Sequence, residues 1–139
     1  MIDKSLSRSA VAYRDAFRFF FSVGVAVLCF TSVLLSPVPA ASIDMSDKLQ
    51  HLLAYACVAF CGAAGFQGWR HLTTMAGGLI LLGIVLELVQ LGLPGRTASL
   101  GDVAANALGV LLGFLACATT GLLSYPYKRR SPNPEDQRV

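Results

Sequence analysis

The chain has 139 residues, of which 55% are hydrophobic and only 14% are charged, and its formal net charge is +3. Its mean hydropathy is +0.62. Because soluble domains are about half apolar and about a quarter charged, this composition excludes a disordered chain and disfavours a soluble globular protein. The length indicates one domain.

Four weakly charged segments follow one another along the chain. They run over residues 19–43, 49–69, 72–93 and 103–127. About 20 apolar residues cross the hydrocarbon layer as a helix, and an open sheet cannot cross it. The sequence therefore predicts an all-α membrane protein, a bundle of four transmembrane helices in which short connections make successive helices antiparallel.

The positively charged residues orient this bundle, because the cytoplasmic side of a membrane retains them near helix ends. Of the eleven Lys and Arg residues, all except Lys48 and Arg96 fall on one predicted side. We therefore expect both termini in the cytoplasm. Residues 1–18 form a basic cytoplasmic segment, residues 19–123 the four-helix domain, and residues 124–139 a disordered cytoplasmic tail.

The start of the chain also resembles a secretory signal, since a basic segment and an apolar stretch precede Val38-Pro39-Ala40. The apolar run is longer than the usual signal core of about 7 to 15 residues, which favours a retained first helix.

The cysteines and the basic residues have simple interpretations. All four cysteines lie inside predicted helices without a CxxC pair, as expected for small packing residues. Cys57 and Cys61 share a helix face, but a metal site would need further soft ligands. The basic residues follow the topology rule, so no nucleic-acid partner is predicted.

Polar residues gather on the predicted outer side. On the second helix, at about 100° per residue, one face carries Asp47, Lys48, His51 and Tyr55. Such groups are costly near a bilayer, so they usually face a bundle interior or a wet cavity.

The fourth helix carries a matching face with Asp102, Asn106, Gly109 and Gly113. Its GxxxG step lets a neighbouring helix approach closely, so we expect this helix to be central. Ser99-x-x-Asp102 before an apolar run also has the form of a capping box, a purely structural alternative.

Glu87 and Gln90 complete the predicted layer, just before Pro94 ends the third helix. All these groups lie within about 6 to 10 Å of the predicted outer surface, at about 1.5 Å per residue. One structural alternative is that Glu87 only forms a pair with Arg96 or His51. Another is that Lys48 and Arg96 only extend their charged groups to the outer membrane–water interface.

Three blocks of this sequence resemble the signature blocks of the VanZ-like family: DKLQHLLAY from residue 47, ELVQ from residue 87 and PGRTASLGDVAANALGVLLG from residue 94. The resemblance covers about residues 17–123. It implies a small integral protein of the bacterial cytoplasmic (inner) membrane; the family prototype is linked to resistance to the glycopeptide teicoplanin. The motif positions, which we take as candidate ligand-binding residues, are Asp47, Lys48, His51, Tyr55, Glu87, Gln90, Arg96, Ser99, Asp102 and Asn106.

Three classes of function follow from these residues. The first is a cell-envelope accessory or binding protein whose outer pocket engages a cell-wall or polysaccharide precursor lipid, with Lys48 and Arg96 on its phosphate. The second is an intramembrane enzyme in which His51 acts as general base, with Asp47, Glu87 or Asp102 as the orienting or acid group. The third is a structural membrane subunit whose polar network fixes helix register.

A metal-assisted site is a further alternative. Asp47, His51, Glu87 and Asp102 would suit a hard or borderline divalent cation. The sequence contains no HExxH, P-loop or nucleophile elbow. We therefore expect no metal and no cofactor, and we expect membrane lipids as the general partners.

Overall fold

A computed structural model of the chain describes residues 4–34, 45–92 and 99–122. These residues form four helices: α1 (Lys4–Leu34), α2 (Met45–Gly65), α3 (Trp69–Leu91) and α4 (Leu100–Thr119). The described ranges contain no strand. Three stretches are long and apolar enough to span a membrane: Val11–Ser32 within α1, and α3 and α4 in full. Within these residues the predicted all-α fold of four helices is confirmed, with three of the four long and apolar enough to cross a membrane.

The ends of the helices differ from the predicted ones. α1 begins at Lys4 rather than at residue 19, because residues 4–18 contain no Gly or Pro and helix propagates past the apolar run. α4 ends at Thr119 rather than at residue 127, and Gly121 follows it with φ of 72°. A left-handed glycine just beyond a helix ends it, whereas an uncharged sequence alone does not show where it stops.

The second helix and its turn are also shifted. α2 runs from Met45 to Gly65, although the predicted segment was 49–69. The connection to α3 is short and contains Gly68 with φ of 100°, a backbone conformation that glycine adopts without steric cost. The predicted domain limits at residues 1–18 and 124–139 fall partly or wholly outside the described residues.

α4 packs in parallel along α2. A Cβ atom placed on Gly109 would collide with the Leu52 carbonyl oxygen, and one on Gly113 would collide with the Ala56 carbonyl oxygen. The two backbones are therefore in direct contact over one helical turn of each helix. This confirms the close approach that the GxxxG step predicts.

α1 and α2 run antiparallel. A Cβ on Gly24 would lie 2.8 Å from Val58, and one on Gly62 would lie 2.9 Å from Phe21. At the end of α2, Arg18 Nε donates to the Gly65 carbonyl at 3.0 Å. Arg18 thus satisfies one of the carbonyls that a helix end leaves without an intrahelical partner, in addition to its expected effect on topology.

α2, rather than α4, is the central helix. It makes the most extensive backbone contacts of the bundle, with α4 on one side and α1 on the other, whereas in the described residues α4 packs mainly on α2 and less on α3. The reason is the small residues on α2, such as Ala59, Ala63 and Ala64, which are buried against its neighbours. Many large apolar side chains stay exposed on the outside of the bundle, as they do where a surface meets lipid.

The cysteines are free thiols. Cys117 is buried and packs with Ala63 and Ala64, as expected of a small apolar residue, while Cys57 is exposed on the surface of α2.

Candidate functional site

The polar residues of three helices meet at one end of the bundle. His51, Glu87 and Asp102 each place one nitrogen or oxygen atom within 4.8 Å of the other two. We call these three residues together with Asn106 the polar cluster. Both carboxyl groups are buried, with 4% of Glu87 and 8% of Asp102 exposed, while His51 is half-buried. Three helices thus bring these groups, though not every residue of the predicted layer, to one place.

The up-and-down order of the helices produces this meeting. His51 lies in the second turn of α2, Glu87 in the last two turns of α3 and Asp102 in the first turn of α4. Since α3 runs antiparallel to α2 and α4, the end of α3 lies beside the starts of the other two. No single segment of the chain contains the cluster.

Asn106 joins α4 to α2. Its Oδ1 lies 3.2 Å from His51 Nδ1, and only 2% of the residue is exposed. With the amide in this orientation, Nδ1 carries the proton and donates it, so the lone pair of the imidazole is on Nε2. This contact positions the His51 ring and favours the tautomer with the proton on Nδ1.

Glu87 joins α3 to the start of α4. Its Oε2 accepts the backbone N–H of Ser99 at 3.1 Å. The Ser99 hydroxyl in turn accepts the N–H of Gly101 at 3.2 Å, so Ser99 is the N-cap that its sequence context predicted. In a capping box, a side chain of the same helix would accept the hydrogen bond from the Ser99 N–H. Here the acceptor is the Glu87 carboxylate of α3, and this negative charge lies at the positive end of the α4 dipole.

Tyr55 lies beneath the cluster with an unsatisfied hydroxyl. Only 2% of the residue is exposed, and the hydroxyl has no hydrogen-bond partner within the described part of the chain. A Cβ on Gly83 would lie 3.2 Å from this hydroxyl and 2.9 Å from Asn106 Nδ2. A buried polar atom without a partner is uncommon in folded proteins and calls for an explanation such as a water or a ligand.

Lys48 lies at the edge of the cluster. A Cβ on Gly101 would lie 3.3 Å from Lys48 Nζ and 3.2 Å from Ser99 Oγ, so the ammonium group is next to the start of α4. The side chain is exposed. Its charge is therefore available to an anion that approaches this end of the bundle.

Three other candidate residues differ from the expected arrangement or cannot be compared with it. Gln90 is buried, but its Nε2 donates to the Ser32 carbonyl of α1 at 3.2 Å, which ties α3 to α1. The side chain of Asp47 and the whole of Arg96 lie outside the described residues. Their expected part in the site stays a prediction.

Two glycines of the site were not identified from the sequence. Gly83 leaves room for Tyr55 and Asn106, and Gly101 leaves room for Lys48. The sequence could have indicated Gly83, because it lies one helical turn before Glu87. A residue without a side chain there leaves space on the helix face that carries this acid.

The arrangement supports some kinds of chemistry better than others. Two carboxylates, an imidazole and an amide can accept hydrogen bonds from hydroxyl groups, hold a cation or exchange protons. Ser99 is a poor nucleophile because its oxygen is engaged in capping α4.

Comparison of the chain with protein-family models, with curated proteins and with solved structures finds no match.

Proposed function

We propose that this chain is a VanZ-like integral membrane protein of the bacterial cytoplasmic membrane that binds the polar headgroup of an envelope lipid or glycan precursor. The family membership in this proposal rests on the three motif blocks at residues 47–55, 87–90 and 94–113. The binding function rests on the polar cluster that those blocks form.

The observation that carries the binding function is the burial of Glu87, Asp102 and Asn106 at one end of an apolar bundle. Polar groups at such positions are costly and are usually found where they face a site. Carboxylate and amide oxygens accept hydrogen bonds from sugar hydroxyls. A carbohydrate headgroup attached to a lipid would enter from the bilayer surface and place its hydroxyls against these atoms.

Lys48 supplies the complementary charge for a phosphate group. Hydrogen bonds between an ammonium group and a phosphate are stronger than hydrogen bonds between neutral groups. The Lys48 ammonium group is exposed beside the start of α4, where a phosphate can reach it. Arg96, in the segment between α3 and α4, is the second cation of this proposal. The ligand class is thus a phosphate-linked saccharide on a lipid anchor.

The proposal includes four membrane spans with both termini in the cytoplasm. α2 has 21 residues, about 31 Å of helix, which matches a hydrocarbon layer of about 30 Å. Its backbone packs directly on that of α4, which supports placing both helices at the same depth. The polar cluster then faces the outside of the cell.

An intramembrane hydrolase or transferase is the second candidate. One observation favours it: a His51 ring nitrogen lies within 4.8 Å of both a Glu87 and an Asp102 oxygen. That grouping is suited to general acid–base chemistry on a lipid-linked substrate. The binding proposal does not require turnover.

Thermal unfolding of the full chain in detergent tests the binding function. The probe is a polyprenyl-diphosphate-linked disaccharide, compared with polyprenyl diphosphate and with a neutral diacylglycerol. We expect the glycolipid to raise the unfolding temperature most, because a ligand that binds only the folded state stabilises it. Release of free disaccharide or phosphate during the incubation would show the enzyme instead.

Matched variants locate the binding. Lys48→Ala should reduce stabilisation by both phosphate-bearing lipids, whereas Arg70→Ala, an exposed cation at the start of α3, should leave it unchanged. Equal stabilisation by all three lipids, or equal loss in the two variants, would contradict a headgroup site at the polar cluster.

A further inference from the structure

We infer that His51, Glu87 and Asp102 form a binding site for a divalent transition-metal cation. The three atoms that they offer lie within 4.8 Å of one another. Ligands about 2.1 Å from a common ion at tetrahedral angles lie about 3.4 Å apart, so atoms separated by as much as 4.8 Å need to approach one another by up to about 1.4 Å. A change of that size is within the reach of side-chain torsions.

The donor set indicates which class of ion fits. One imidazole nitrogen and two carboxylate oxygens suit borderline ions such as Zn²⁺, Co²⁺ and Fe²⁺, and the harder Mn²⁺, better than soft ions that prefer thiolates. Three protein ligands leave a coordination position open for water or for an oxygen of a bound molecule, the arrangement typical of reactive rather than structural metal sites.

Hydrogen bonds behind the ligands already hold two of them in position. Asn106 Oδ1 lies 3.2 Å from His51 Nδ1; in the tautomer in which Nδ1 donates to it, Nε2 carries the lone pair that a metal requires. The Ser99 N–H holds Oε2 of Glu87. Metal ligands are usually supported in this way, and the support fixes their geometry before the ion binds.

The Tyr55 hydroxyl is an independent indication that something binds at this depth. It is buried without a hydrogen-bond partner in the described residues and lies beside the Asn106 amide that orients His51. A metal-bound water or ligand oxygen that extends towards Gly83 would give it an acceptor.

A metal ion at these residues differs from the sequence-based expectation that the chain holds no metal. The metal site shares Glu87 and Asp102 with the proposed headgroup binding, but it rests on the positions of three side chains and does not require a lipid. An ion with an open position would, however, also bind a phosphate oxygen of a headgroup and so strengthen that function.

The test is a titration of the full chain with Co²⁺ in detergent, after purification with a tag that contains no histidine. Visible absorption bands of protein-bound Co²⁺ should appear and saturate at one ion per chain, without the thiolate charge-transfer absorption that cysteine ligands would add. His51→Ala and Asp102→Asn should each weaken binding at least tenfold. Asn106→Ala should weaken it by about 10- to 100-fold, as loss of a hydrogen bond behind a ligand does.

The second histidine of the chain provides the matched control. His71 is exposed near the start of α3, with its Nδ1 3.0 Å from the Gln67 carbonyl, so His71→Ala should bind Co²⁺ like the unchanged chain. Size-exclusion chromatography checks that each variant is folded. If His51→Ala does not fold, two other measurements test the site. The isosteric Asp102→Asn should still lose Co²⁺ binding, and a chelator should reverse the thermal stabilisation of the unchanged chain by Co²⁺.

Three results would overturn the site: no saturable Co²⁺ binding at millimolar concentration, unchanged binding in Asp102→Asn, or loss of binding in His71→Ala. Because the titration contains no added lipid, its failure leaves the headgroup proposal standing. Conversely, Co²⁺ binding without any glycolipid stabilisation would remove the headgroup proposal alone.

Discussion

At the scale of single residues, the polar cluster contains both satisfied and unsatisfied buried groups. Asn106 is bonded to His51 across two helices, whereas the Tyr55 hydroxyl, one turn away, has no partner in the described residues. Removing one partner of a buried hydrogen bond costs about 1 to 3 kcal/mol, because the other group is left unsatisfied. Removing a group that was already unsatisfied carries no such cost.

The two residues should therefore respond in opposite ways to loss of their polar atoms. Asn106→Ala should lower the free energy of unfolding by about 1 to 3 kcal/mol, since it leaves His51 Nδ1 without its acceptor. Tyr55→Phe should leave the unfolding temperature of the ligand-free chain unchanged or raise it. Thermal unfolding in detergent measures both, and destabilisation by Tyr55→Phe would show that its hydroxyl is satisfied in the ligand-free state.

The bond itself is measured by combining changes at its two ends. In a double-mutant cycle of His51→Ala and Asn106→Ala, the stability effects should depart from additivity by about 0.5 to 3 kcal/mol, as they do for groups in contact. His71→Ala combined with Asn106→Ala is the control, because His71 lies near the start of α3, and this pair should be additive. Additive effects in both pairs would contradict the contact.

At the scale of helices, the glycines lie in two kinds of environment, one tightly packed against a neighbouring helix and one open. Gly109 and Gly113 of α4 face backbone carbonyls of α2, whereas Gly77 and Gly78 of α3 have nothing within 4 Å of a Cβ placed on them. The first pair determines how closely two helices pack. The second pair leaves open space, so a side chain there has no neighbour to displace.

Alanine substitutions should separate the two settings. Gly109→Ala and Gly113→Ala should each destabilise the chain by about 1 to 3 kcal/mol or more, because the new methyl group meets a backbone that cannot move aside easily. Gly77→Ala and Gly78→Ala should be neutral or stabilise it by about 0.5 to 1 kcal/mol through helix propensity. Equal effects at all four positions would contradict the tight packing of α4 on α2.

The sequence predicted the helices and the cluster better than the helix ends or the central helix. Helical periodicity was sufficient to place Asp102, Asn106, Gly109 and Gly113 on one buried face, because the apolar environment makes polar and small residues informative. The extension of α1 to Lys4 could not be read from hydropathy, since helix continues wherever the backbone has no reason to stop. The partners of Gln90 and Glu87 depend on helix rotation, which a single sequence does not give.

At the scale of the whole molecule, the bundle has two unlike ends. The polar cluster and Lys48 lie at one end, and the α2–α3 turn with Trp69 and Arg70 lies at the other. The antiparallel order of the helices places these features on opposite faces of any membrane that the bundle crosses. Which face is outside follows in our proposal from the distribution of Lys and Arg, and it decides whether the polar cluster meets envelope precursors or cytoplasmic molecules.

Single-cysteine labelling determines the orientation. In a background with the four native cysteines replaced, Leu100→Cys and Trp69→Cys offer sites that are 90% and 79% exposed at the two ends of the bundle. A membrane-impermeant maleimide added to intact cells should label Leu100→Cys at once and Trp69→Cys only after permeabilisation, because nine of the eleven Lys and Arg residues hold the α2–α3 turn and both termini inside. The reverse pattern would place the polar cluster in the cytoplasm, and a headgroup on the outer leaflet could then not reach it. Labelling of both sites from outside would mean that α3, which separates them, does not cross the membrane.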